Sequence, residues 1–346
     1  MMQCYALPDA RFLPLGRHDP REKQSCLWWS GSGVRVKIAC RQMEIEASAS
    51  ARDHAPWLGV MVDGAPVARF PLMNGVRRYP VLAGMDPAFS HEITLLRDSQ
   101  LTYDEDGPVI LHAVYADGTP EPPKKRPLML EFIGDSLTVG EGCAGPVSGE
   151  EWRTVFISHM PAFPTLVADA LHAEKRVIAL GGWGASQGWA RNPDSRLGLI
   201  YGRLCAPTPG GDVPAGFPER EADAVIINLG TNDATAIAGL DDSDRPAASQ
   251  ALAVCAEALL SQVRRRHPGA IILWAYGLCG SQAAAALEAS VRARRAAGDK
   301  RVHFLPLTDC GGDLGSRGHP SRAAHRAAAR EISDKLKELM QKEEPA

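Results

Sequence analysis

The sequence predicts two domains of different class, an N-terminal all-β sandwich and a C-terminal α/β/α sandwich built on a parallel sheet. Short segments between residues 33 and 115 alternate apolar and polar residues with period two, with Asp-Gly turns between or after them and no helical stretch. From residue 128 onward, continuous apolar runs alternate with segments of helical periodicity, the pattern of strands buried on both faces and covered by helices. A proline-rich, charged stretch, residues 118–127, separates the two patterns.

The 346 residues are 45% hydrophobic, enough for two cores. Thirty-eight Lys+Arg against 41 Asp+Glu leave a net charge of -3, so no global field favours nucleic acid or an anionic membrane as partner. No run approaches the length of apolar residues that a spanning helix needs. The N-terminal segment has no basic stretch followed by an apolar core, which gives a cytoplasmic expectation that remains compatible with secretion. The eight cysteines are scattered without a Cys-x-x-Cys pair, so reduced thiols are expected, and no metal spacing emerges from them and the ten histidines.

Residues 1 to about 25 read as irregular. Strands follow at 33–40, 43–47, 57–62, 67–73, 91–96 and 109–115, with turns at Asp63-Gly64, Asp106-Gly107 and Asp117-Gly118. The first domain is therefore placed at 1–118, the linker at 119–127 and the second domain at 128–346. In the latter, strands are expected at 128–133, 176–180, 224–229, 270–276 and 302–305, and helices at about 162–173, 246–266, 281–297 and 321–341. The Gly/Pro-rich segment 190–217 is too long for a simple connection and is expected to wall the active site.

Chemistry concentrates where these strands end. Gly134-Asp135-Ser136 breaks the first apolar run and sets a serine on the sheet edge where open α/β sheets bind ligands. A serine needs a base to take its proton and donors to receive the oxyanion. Asn228-Leu229-Gly230-Thr231-Asn232-Asp233 ends another run and offers the Asn232 amide; Gly181-Gly182-Trp183-Gly184 ends a third and offers a free backbone N–H. Gly318-His319-Pro320-Ser321 puts a histidine just before the last helix. Taken singly, these residues also suit helix caps and turns. Asp135 reads as holding the turn, Asp233 as a cap or supporting acceptor, and His325 as structural. Gly140-Glu141-Gly142-Cys143-Ala144-Gly145 matches a dinucleotide-loop spacing but starts too far after the strand to be one.

The four blocks in this order resemble the SGNH (GDSL-type) hydrolase superfamily over roughly residues 128–340. The resemblance implies a flavodoxin-like α/β/α fold, Ser136 as nucleophile, His319 as base, and the Ser136 amide, Gly182 and Asn232 as oxyanion donors, with no cofactor and no metal. The preceding sandwich and linker, with Trp28-Trp29-Ser30-Gly31-Ser32-Gly33, Val62-Asp63-Gly64 and Ser90-His91-Glu92-Ile93, resemble carbohydrate esterase family 2, acetyl esterases with an N-terminal jelly-roll domain. That resemblance implies removal of acetyl groups from an acetylated carbohydrate. Trp183 and Trp189 are candidates to stack on a sugar face, with core packing as the alternative.

The sequence departs from the superfamily at one point. An aspartate is expected two or three residues before the histidine, yet Arg317 and Ser316 stand there. Either a backbone carbonyl orients His319 or Asp313 reaches it from another turn. The competing functions are a lipase, thioesterase or acyltransferase using the same site, and a carbohydrate-binding protein that has lost catalysis.

Overall fold

The structure, a computed structural model, describes residues 1–205, 210–215 and 219–342. The first domain contains β1 (Gln3–Ala6), β2 (Leu13–Leu15), β3 (Ser25–Leu27), β4 (Gly33–Ile38), β5 (Gln42–Ala49), β6 (Trp57–Val62), β7 (Ala65–Pro71), β8 (Gly75–Ala83), β9 (His91–Arg97), β10 (Val109–Ala116) and β11 (Pro120–Glu121). They form two antiparallel sheets, β1-β10-β5-β8 with β3 also on β10, and β11-β4-β9-β6-β7 with β2 also on β4. The predicted alternation is literal in β5, where Met43, Ile45, Ala47 and Ala49 are buried between more exposed Glu44, Glu46 and Ser48.

Three expectations change here. Residues 1–25 are not all irregular: β1 pairs with Ala113–Ala116, and β2 and β3 are too short to show a period. β8 pairs along β5 but is solvent-exposed over most of its length, so it has no buried face to write into the sequence. The stretch 119–127 is not a free spacer. Pro120 and Glu121 pair with Ile38 and Lys37, and Arg126 donates from its main chain to Glu174 (3.0 Å) and from its guanidinium to Asp169 (2.9 Å). An edge strand tolerates the missing proline donors.

The second domain has five parallel strands, β12 (Leu128–Gly134), β13 (Ala173–Ala179), β14 (Ala224–Asn228), β15 (Ile271–Tyr276) and β16 (Val302–Pro306), in the order β13-β12-β14-β15-β16. This is the flavodoxin-like order expected. The helices are α1 (Ser136–Val139), α2 (Phe163–Ala170), α3 (Leu197–Ile200), α4 (Thr231–Ala238), α5 (Arg245–Arg266), α6 (Ala284–Ala296) and α7 (Arg322–Gln341). α5 and α6 bury Leu252, Leu259, Leu287 and Val291 on one face of the sheet, while α2 and α7 bury Val167, Ala328, Ile332 and Leu336 on the other. Chain order reverses on either side of β12, which opens the crevice at the strands' C-terminal ends. Of the segment expected to wall that crevice, 206–209 and 216–218 lie outside the described residues. Its start, 190–196, and the preceding 185–189 fold back on the second glycine loop, with Trp189 N–H on Gly182 O (3.1 Å) and Gly184 N–H on Ser195 O (3.0 Å).

The domains are joined by buried polar contacts. Arg17, from the loop after β2, is fully buried and donates to Tyr201 O (2.6 Å), Arg203 O (2.9 Å) and Glu219 (3.1 Å). Its guanidinium lies 3.8 Å from Glu131 of β12. Glu131 also accepts from Arg176 (2.5 Å) and Tyr201 (2.6 Å). Burial acts to raise the Glu131 carboxyl, but Arg176, His267 and Arg17 outweigh it and hold it well below the ordinary range.

Candidate active site

β12 delivers Ser136 directly to the crevice. Gly134 closes the strand because a Cβ there would meet Thr138 Oγ1 at 1.9 Å. Asp135 caps α1, its Oδ1 accepting from Leu137 N–H at 3.0 Å. Ser136 then occupies the first helical position, where its own N–H has no carbonyl a turn behind it. Burial pushes Asp135 up to about 7, with repulsion from Asp233 and Glu141 adding to it against the Leu137 N–H bond.

His319 reaches Ser136 from the other end of the chain. Its Nε2 is 2.9 Å from Ser136 Oγ, and its Nδ1 is 3.1 Å from the carbonyl of Arg317. A carbonyl only accepts, so Nδ1 carries the proton and Nε2 turns its lone pair toward the serine hydroxyl. Arg317 sits in the left-handed region at φ +56, uncommon for a residue with a side chain, and this turn aims its carbonyl at the ring. Asp313 does not meet His319. Its carboxylate accepts the hydroxyl of Ser321, the residue whose side chain caps α7 at Ala323 and Ala324. Of the two alternatives for orienting the imidazole, the geometry contains the carbonyl. Among the neighbours expected to be supporting, His325 is buried, accepts from Phe163 N–H (3.2 Å) and is lowered by burial to about 4.

The two remaining predicted residues follow β13 and β14, the strands on either side of β12. Gly182 is at φ +82, and its N–H makes no hydrogen bond among the described residues. The neighbouring Gly181 N–H is taken by Gln100 Oε1 (2.9 Å), a side chain of the first domain. Asn232 Nδ2 donates to Trp183 O (2.8 Å) and, at 3.2 Å, to Asp135 Oδ2. Asp233 accepts from Ala185, Ser186 and Gln187 N–H (2.9, 2.8 and 3.2 Å) and from the Ser186 hydroxyl, so it shapes the glycine loop as an acceptor.

The two tryptophans part company. Trp183 is 6% exposed and packs into the core, its Nε1 donating to Tyr103 Oη (2.7 Å); the stacking role considered for it is not open to a buried ring. Trp189 is 62% exposed and lies against Gly182, where a Cβ would meet its Cδ1 at 3.0 Å. Gln100, Tyr103 and Glu141 went unremarked as site residues in the sequence. The first two come from a loop of the other domain and leave no local signal. Glu141 does have one, an acid between the paired glycines Gly140 and Gly142, both at positive φ (91 and 88). A Cβ on Gly142 would stand 2.7 Å from His319 Cβ, so these glycines let the chain pass beneath the imidazole.

The GDSL-like Lipase/Acylhydrolase family model matches residues 132–327, more than half of the chain. The chain belongs to that family. The Carbohydrate esterase 2 N-terminal model matches residues 15–119. A cellulase/esterase of Acetivibrio thermocellus is 25% identical over 324 residues, covering 89% of this chain; the chain spans only 37% of that relative's length. An acetylxylan esterase/glucomannan deacetylase of Cellvibrio japonicus is 26% identical over 344 residues, covering 97% of this chain and 90% of the relative. In fold, the chain is similar to an acetyl xylan esterase of Butyrivibrio proteoclasticus at a TM-score of 0.93, with 24% identity, covering 99% of this chain and 100% of that one.

Proposed function

We propose that the protein is a serine esterase that removes acetyl groups from hydroxyls of a carbohydrate through an acyl-enzyme. Family membership supports ester hydrolysis, and the names of the two curated relatives support an acetylated polysaccharide as the substrate class. The observation that carries the reading is the 2.9 Å contact of His319 Nε2 with Ser136 Oγ, with a Gly182 N–H unengaged among the described residues on the neighbouring strand-end loop. In this reading Ser136 Oγ attacks the acetyl carbonyl while His319 Nε2 takes its proton. The Ser136 and Gly182 amides and Asn232 Nδ2 receive the oxyanion, Asn232 giving up its longer bond to Asp135. His319 then protonates the sugar alkoxide and later draws a proton from water to release acetate. The exposed Trp189 face offers a stacking surface for the sugar.

Ser136→Ala tests this on 4-nitrophenyl acetate and acetylated xylooligosaccharides. Loss of the nucleophile should lower kcat by about 10⁴ or more with unchanged thermal unfolding. Turnover within tenfold of wild type would remove the assignment, and a preference for long-chain esters would turn it toward a lipase.

A further inference from the structure

We propose that Glu141 is the acid that serves His319, a positioning residue that works through Arg317 and across space where the usual aspartate is absent. The proposal rests on the esterase reading above. Glu141 follows the nucleophile by one turn, its N–H on Ser136 O at 3.0 Å. That bond fixes the main chain at Glu141, and only 4% of its side chain is exposed. One oxygen, Oε1, is paired with the guanidinium of Arg317. The other, Oε2, lies 3.7 Å from His319 Nε2, too far for a hydrogen bond and near enough for a strong interaction of charges.

The same residue thus touches both sides of the base. Through the Arg317 side chain it holds the left-handed turn whose carbonyl receives Nδ1–H. On the other side it faces the nitrogen that becomes charged when Ser136 loses its proton. A neutral carbonyl alone stabilises an imidazolium less than a carboxylate does, and Glu141 supplies the missing negative charge. The guanidinium in turn compensates the burial of that carboxylate. The other ionisable groups around His319 are differently engaged: Asp135 on Leu137 and Asn232, Asp313 on Ser321, Arg322 on the Cys143 carbonyl (2.5 Å), and His325, buried on α7, on the Phe163 N–H.

The decisive comparison is Glu141→Gln against Arg317→Gly. Glycine keeps the left-handed turn and its carbonyl but removes the guanidinium, leaving Glu141 unneutralised. Two measurements are made on each variant: kcat and KM against pH with 4-nitrophenyl acetate, and the NMR titration of the His319 ring in a Ser136→Ala background. Glu141→Gln should lower kcat by about tenfold to a hundredfold with KM within about threefold, and move the acid limb and the ring midpoint down by about one pH unit. Arg317→Gly should move the midpoint the opposite way, upward. A purely structural role would not produce shifts of opposite sign. An unchanged midpoint in Glu141→Gln, or a loss confined to KM, overturns the proposal and makes Glu141 a packing or substrate contact. Should that variant not fold, Arg317→Gly decides alone, an unchanged or lowered midpoint being the overturning result. Absence of wild-type turnover would instead count against the esterase reading, while the ring titration would still judge Glu141.

Discussion

Replacing Asp135 by Asn should shift stability in the variant's favour, relative to wild type, as pH rises. Asp135 is 1% exposed, and its carboxyl is moved from 3.8 to about 7 by burial first, then by repulsion from Asp233 and Glu141. A folded-state value above the unfolded one means that the folded chain keeps a proton which the unfolded chain has already released. Stability from this group is intact below about pH 4 and is lost as pH rises to about 7. A shift of about three units corresponds to about 4 kcal/mol, of which about 2–3 kcal/mol falls between pH 5 and pH 8. Asparagine has nothing to titrate, and its oxygen can still accept from Leu137 N–H. Any loss at the Asn232 contact is independent of pH and cancels in the difference. Urea unfolding of both proteins at pH 5 and pH 8 measures this directly. The gap between variant and wild type should widen by about 2–3 kcal/mol at the higher pH; a widening below about 0.5 kcal/mol would refute the reasoning.

Asp313→Asn should reduce kcat/KM by less than about tenfold at any pH, because Asp313 holds Ser321 rather than His319; a carboxylate bound to the imidazole would cost about 10⁴. Its main effect should be a weaker start to α7, about 1 kcal/mol or less in unfolding experiments. Gln100→Ala removes the acceptor of Gly181 N–H and loosens the loop that presents Gly182, so kcat for 4-nitrophenyl acetate should fall about tenfold with KM little changed. An unaltered kcat would mean that the loop holds its shape without the first domain.

Much of the site was legible because strand-end geometry is local. Ser136, Gly182 and Asn232 each follow an apolar run that had to become a parallel strand, and one sheet brings three such ends together. The absence of an acid at 316 and 317 was equally readable, and it left a backbone carbonyl or Asp313 as the group that orients His319. Arg317 as the source of that carbonyl needed the left-handed turn, which nothing in the side-chain pattern announces at an arginine. Trp183 and Trp189 are equivalent as letters, and only the fold of 185–196 sends one into the core and the other to solvent. Gln100 and Tyr103 act some 80 positions away from the loop they hold, beyond any periodicity argument. β8 was missed because it buries almost nothing.

The Arg17–Glu131 contact bears on how such chains can be reshuffled. Family models divide the chain into a carbohydrate esterase N-terminal part and a hydrolase part, as if each could be inherited alone. Yet the strand that leads to Ser136 holds a fully buried glutamate facing a fully buried arginine from the opposite part. Deleting the first part would strand that carboxylate with one guanidinium fewer and uncover Gly181, while Arg17 grafted elsewhere would be a cation without its enclosure. The two parts are therefore tied by charge that neither can expose cheaply. A gene fusion that swapped one for an unrelated sandwich would leave Glu131 and Glu219 each one guanidinium short.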